Sequence, residues 1–134
     1  MIQLETELNP VQFTLPQGLI QGAPQHRNAL HTPEGVVLRD WDTLAIGQPE
    51  WDLITIEVHC RRFGYGLPYE AFADEYGLDI TLEPGYKTLA AIRELRMVTT
   101  NARKMHHAPE TDTEVKRRVQ GLRDNDTELR WHIL

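Results

Sequence analysis

The apolar positions fall into runs of two kinds, and the change between them divides the chain. Up to about residue 48 the runs are short: Gly18-Leu19-Ile20, Ala29-Leu30-His31 and Val36-Val37-Leu38-Arg39, separated by polar stretches that carry Pro or Gly. The first reads as a buried strand. The other two, around the turn Thr32-Pro33-Glu34-Gly35, read as a β-hairpin. Gly22 to Arg27 and Leu44 to Gln48 read as loops.

Beyond residue 49 the apolar residues recur at longer intervals. Pro49 suits the first turn of a helix, and Glu50 and Asp52 complement its positive end. After a break at Gly64 and Gly66, Pro68 to Tyr76 reads as a helix stopped by Gly77. A long helix begins near Pro84 with an apolar face of Leu89, Ile92, Leu95, Val98, Ala102 and Met105; Arg93, Glu94 and Arg96 fall among its polar positions, and His106, His107 and Pro109 end it. The last helix runs from about Thr111 or Asp112, both cap candidates, to about Arg123, with Trp131 and Leu134 expected to tuck the tail back. Ile2, Leu4 and Leu8 suggest helix before Asn9-Pro10. One segment stays open. Ile54, Ile56, Val58 and Cys60 alternate with Thr55, Glu57 and His59 as a strand would, yet the same residues make a helix apolar on two sides.

These elements amount to an α+β fold, mainly helical, with a small β-hairpin and about four helices in a single domain over residues 1–134. Charged residues at 25% and hydrophobic ones at 40% place the chain among ordinary globular domains and argue against disorder. The net charge of -6 removes the basic footprint expected of a nucleic-acid binder. Its densest basic run, Lys116-Arg117-Arg118, reads as a solvated helix face. No basic leader and no run of about 18 apolar residues is present, so a cytoplasmic protein without a membrane span is expected. The single cysteine, Cys60, reads as a small packing residue, and its neighbour His59 points elsewhere on either a strand or a helix. Trp41 and Trp51 read as core.

The hairpin carries the first hint of chemistry. Asn28 lies six residues before Glu34 and Asp40 six after it, so antiparallel pairing brings both to the open end, with Asp42 on the same side as Asp40. An amide oxygen and carboxylates at that range can share a hard cation such as Mg²⁺. The plain alternative is that these side chains bond loop amides, as Asn and Asp commonly do.

Three blocks stand out: Gln21-Gly22-Ala23-Pro24-Gln25-His26-Arg27-Asn28, Asp40-Trp41-Asp42, and Gly47-Gln48-Pro49-Glu50-Trp51-Asp52-Leu53. They resemble the C-terminal lobe of the aminoglycoside phosphotransferase and choline-kinase-like family, relatives of protein kinases. The family pattern is His-Gly-Asp-x-His-x-x-Asn, a hairpin, Asp-x-Asp or Asp-x-Glu, then Gly-x-Pro-x-Trp/Tyr-Asp-Leu. The resemblance implies that Asn28 and Asp40 are Mg²⁺ ligands, that Asp42 is a second acidic position at the metal, and that Asp52 props the catalytic loop from behind. It implies ATP as the companion of the metal, and helix for the open segment 54–60.

The chain departs from that pattern where the chemistry is done. The position of the catalytic Asp is Ala23, whose methyl group accepts no proton, and the flanking His positions are Gln21 and Gln25. A positioned general base contributes about 10²–10⁴ in rate. His26 stands one residue away and is a weak substitute. About twenty residues precede the loop, too few for the lobe that carries the Gly-rich loop and strand lysine of kinases. The expectation is a pseudokinase-type module that binds a partner, either a second copy of itself or a separate N-terminal lobe, across an exposed apolar patch. The other expectation is a phosphotransferase of small molecules that works only with such a lobe.

Overall fold

The segment of ambiguous period is a helix at the centre of the fold. In the computed structural model, which describes residues 2–64, 68–105 and 108–134, it belongs to α2, Glu50–Phe63. Ile54 and Val58 are fully buried and Leu53 and Cys60 nearly so. Each apolar side chain of that size contributes about 1.5–3 kcal/mol on burial. A strand would alternate between two faces, whereas here both apolar sides of a helix find partners.

Around α2 the described residues form α1 (Ile2–Leu8), α3 (Tyr69–Tyr76), α4 (Tyr86–Lys104) and α5 (Glu110–Arg123). The expected breaks at Gly66 and at His106 and His107 lie outside the described residues. Tyr69 and Ala73 of α3, Ile80 of the connector, and Leu89 and Ala90 of α4 complete the core on α2, with Leu8 of α1 packed at its edge. A second core joins Val98 of α4, Val115 of α5 and Trp131, with Phe63 from the end of α2 beside them. Trp131 therefore tucks the tail back as expected, while Leu134 stays about half exposed. The cap expected at Thr111 or Asp112 is not made. The helix starts one residue earlier with Pro109 at its cap position, and Asp112 instead pairs with Lys116 one turn on.

The first part of the chain is two small antiparallel ribbons. β1 (Gly18–Ile20) pairs with β4 (Ala45–Gly47), and β2 (Ala29–Thr32) pairs with β3 (Gly35–Leu38). The stretch Leu44 to Gln48, expected as a loop, thus contains a strand. Only Ile46 in it has strong strand preference, and the partner that stabilises it lies some 27 residues earlier at Leu19. Leu19, expected to be buried, is exposed, as are Ile46, Leu44, Leu30 and Val36 to Leu38. Trp41 is exposed rather than core, and its indole N–H donates to the Leu38 carbonyl.

Candidate functional site

The loop between β1 and β2 is held from below by the first turn of α2. The Asp52 carboxylate accepts hydrogen bonds from two successive backbone N–H groups, Gln21 at 2.7 Å and Gly22 at 2.9 Å. The Trp51 indole donates to the Gly22 carbonyl at 3.1 Å. Gly22 has φ of 88°, and a Cβ there would lie 2.5 Å from the Thr43 carbonyl oxygen, so the position admits no side chain. The neighbouring acid, Glu50, holds the preceding segment in the same manner, accepting from the Leu15 N–H at 2.7 Å. Two acids that suit the positive end of a helix thereby also fasten two upstream segments to it.

Gln21, read from the sequence as lost support for a base, has a task of its own. Its amide oxygen accepts from the Ala23 N–H at 2.9 Å, and its amide nitrogen donates to the Asp40 carbonyl at 2.5 Å. Nothing in its spacing reveals this, because the contact spans 19 residues and depends on how the second ribbon returns.

Asn28 and Asp40 do meet, by a different route from the one expected. The turn centres between Pro33 and Glu34, with Thr32 opposite Gly35, so the residue facing Asn28 is Arg39, whose N–H donates to the Asn28 carbonyl. Asp40 then takes a left-handed conformation, φ 65°, one that Asp tolerates better than most residues. Its carboxylate accepts from the Asn28 side-chain amide at 3.2 Å. The hairpin supplies proximity, and the backbone reversal corrects the register. Asp42 is exposed two residues on. Among the described residues no three His, Cys, Asp or Glu side chains are grouped as a metal site. In the Asn28–Asp40 pair the amide turns its N–H toward the carboxylate, which makes a hydrogen bond, and an Asn28 oxygen ligand would require the amide to rotate. Mg²⁺ takes one or two carboxylates and keeps several waters, so it does not require a closed protein cage.

His26 turns away from this end. It sits in a short 3-10 helix, His26–Asn28, half-buried, with Nε2 3.9 Å from the Cys60 sulfur. Burial pulls its pKa down, and burial pushes the Cys60 thiol up, followed by the charges of Glu57 and Glu70. A buried protonated thiol beside a neutral imidazole is a packing contact, not a nucleophile and its base.

His59 is the stronger titration signal. Burial first, then the charges of Arg93, His26 and Arg27, pull its pKa down to about 4. An unfolded histidine titrates near 6.5. Between those values the unfolded chain holds a proton that the folded chain does not, so stability falls as pH drops from about 6.5 toward 4, by up to about 3 kcal/mol. Urea denaturation at pH 7.0, 5.5 and 4.0 is expected to show this loss, and His59→Gln to flatten that part of the profile. An unchanged profile in the variant would assign the acid sensitivity to other groups.

The described residues also bury charge that the sequence presents as surface. Arg118, from the run read as a solvated face, is 1% exposed, and Arg93 and Glu94 of α4 are buried. No helix among the described residues is long and apolar enough to cross a membrane. Compared with models of protein families, with curated proteins and with solved structures, the chain matches none.

Proposed function

We propose that this chain is a kinase-like C-terminal lobe of the aminoglycoside phosphotransferase and choline-kinase-like kind, retained as a binding module without phosphotransfer activity of its own. The observation that carries the reading is the Asp52 carboxylate bonded to two successive amides of the loop at Gln21 and Gly22. That is the propping role the resemblance gives Asp52, at the position the resemblance gives it. The loop is thus built as a scaffold, and the position on it that would take a substrate proton is a methyl group, Ala23. Leu19 and Ile46, paired across the β1–β4 ribbon, offer an apolar surface to a partner, a second copy or a separate lobe.

A second reading, a phosphotransferase that functions with a separate N-terminal lobe, draws on the Asn28–Asp40 contact. Asn28 and Asp40 would hold Mg²⁺, which supplies charge neutralisation to nucleotide phosphates when bound.

The test follows phosphate release from ATP with Mg²⁺, together with broadening of backbone NMR signals by Mn²⁺. No turnover is expected from the chain as it stands. Turnover from the chain alone that disappears in Asp40→Ala would overturn the inactive reading, whereas turnover that appears only when a separate N-terminal lobe is added would favour the second. Mn²⁺ broadening centred on Asn28 and Asp40, and abolished in Asp40→Ala, is expected if the hairpin end keeps its cation affinity. Broadening elsewhere would remove the metal from both readings.

A further inference from the structure

A cavity of about 350 Å³ opens between the loop, α2, α4 and α5, and its lining is strongly basic. Arg27, Arg93, Arg96, Lys104 and Arg118 all border it. Arg118 has a counter-charge, since its Nε donates to Glu114 at 2.9 Å. Among the described residues the other four form no ion pair.

Three buried residues on this lining carry a polar atom without a hydrogen-bond partner: Arg93 Nε, Arg118 Nη1 and His59 Nδ1. Arg93 is 8% exposed, Arg118 1% and His59 5%, so none of these side chains is chiefly solvated. Leaving a buried polar group unsatisfied is destabilising, more so when it is charged. The Arg93 and Arg96 guanidiniums both lie over the Trp51 ring, at 5.9 and 5.2 Å from its centroid. Burial first and then the like charge of Arg96 draw the Arg93 pKa down to about 10, against the opposing charge of Asp52. An oxyanion in the cavity that Arg93 and Arg96 both line would offset their like charge and offer an acceptor to arginine N–H groups. Phe63 and Met97 add an apolar wall, and the volume is that of a small-molecule site.

We infer that this cavity binds a small phosphorylated compound, its phosphate held by Arg93, Arg96 and Lys104 and its apolar part set against Phe63 and Met97. A dianionic phosphate matches several unpaired cations better than a single carboxylate does, and Arg presents the forked donors that phosphate oxygens accept. The inference draws on neither Ala23 nor the Asn28–Asp40 pair, and it stands or falls apart from the kinase-like reading.

Calorimetric titration of the full chain with phenyl phosphate, inorganic phosphate and benzoate tests it. Phenyl phosphate is expected to bind best, at least about tenfold more tightly than benzoate, with inorganic phosphate weaker than phenyl phosphate for want of the apolar contact. Arg96→Gln and Lys104→Gln replace exposed cations and leave the core intact, and each is expected to weaken phenyl phosphate about tenfold, the effect of one charge-assisted hydrogen bond. Lys116→Gln removes an exposed cation outside the cavity and is expected to leave affinity unchanged. Absence of binding, equal affinity for benzoate, or an equal loss in Lys116→Gln would overturn the assignment.

Discussion

Replacing Glu94 by alanine is expected to lower the unfolding free energy by about 3–5 kcal/mol, the cost of leaving a buried charge without its partner. Glu94 Oε1 receives Arg62 Nε at 2.7 Å and Arg61 Nη1 at 2.9 Å. Arg61 keeps a second carboxylate, Glu57, one turn back on α2 at 2.8 Å. Arg62 does not. It is 2% exposed, and its remaining bonds go to the carbonyls of Asp126 and Leu129, which accept hydrogens but carry no charge. The loss therefore falls on Arg62. Glu94→Gln keeps an acceptor of the same shape and is expected to cost roughly half as much, because only the charge goes. Urea denaturation of both variants at pH 7 checks this. A loss under about 1 kcal/mol for Glu94→Ala would mean that Arg62 is compensated by something other than Glu94.

The second large effect is expected at Trp131. Trp131→Ala should cost about 3–5 kcal/mol, as buried Trp truncations do. The ring is the centre of the second core, 3% exposed, with the guanidiniums of Arg62 and Arg118 lying 4.9 and 4.8 Å from its centroid and Phe63 edge-on at 6.2 Å. Truncation removes apolar contact and the π-face opposite two buried cations together. The indole N–H is buried without a hydrogen-bond partner, so Trp131→Phe forfeits no hydrogen bond and is expected to cost clearly less than the alanine variant. Equal losses for the two would show that neither the ring face nor the volume that Phe retains carries the effect. Thermal melts of the three chains decide it.

Much of the helical half is legible in the sequence because its signals are local. Pro at a helix start, Gly after a helix end, and apolar spacing along α4 each act within a few residues, and the structure follows them closely. Segment 54–60 is the exception. Its residues satisfy two periods equally, and only what packs on both sides chooses between them. The features that were not legible depend on contacts between distant segments. β4 needs β1, Gln21 needs the Asp40 carbonyl, and the Asn28–Asp40 contact needs a reversal at Asp40 that hairpin counting places one residue away. Arg118 reads as surface because a run of three basic residues is usually solvated, and its burial depends on Trp131 and Phe63 arriving from distant segments, with Glu114 one turn back on the same helix. The two amide bonds of Asp52 likewise join segments some 30 residues apart and required the fold.

Arg62 ties the fold to the order in which a chain is made. Its side chain holds the carbonyls of Asp126 and Leu129, and its own carbonyl accepts the Trp131 N–H at 2.6 Å. During synthesis α2 leaves the ribosome long before those residues exist. Until residue 131 has emerged, Arg62 at the end of α2 lacks these three contacts, two of its guanidinium and one of its carbonyl, even with Glu94 already in place. Synthesis from the amino terminus therefore leaves the second core open while the first can close, and the tail is the piece that completes it.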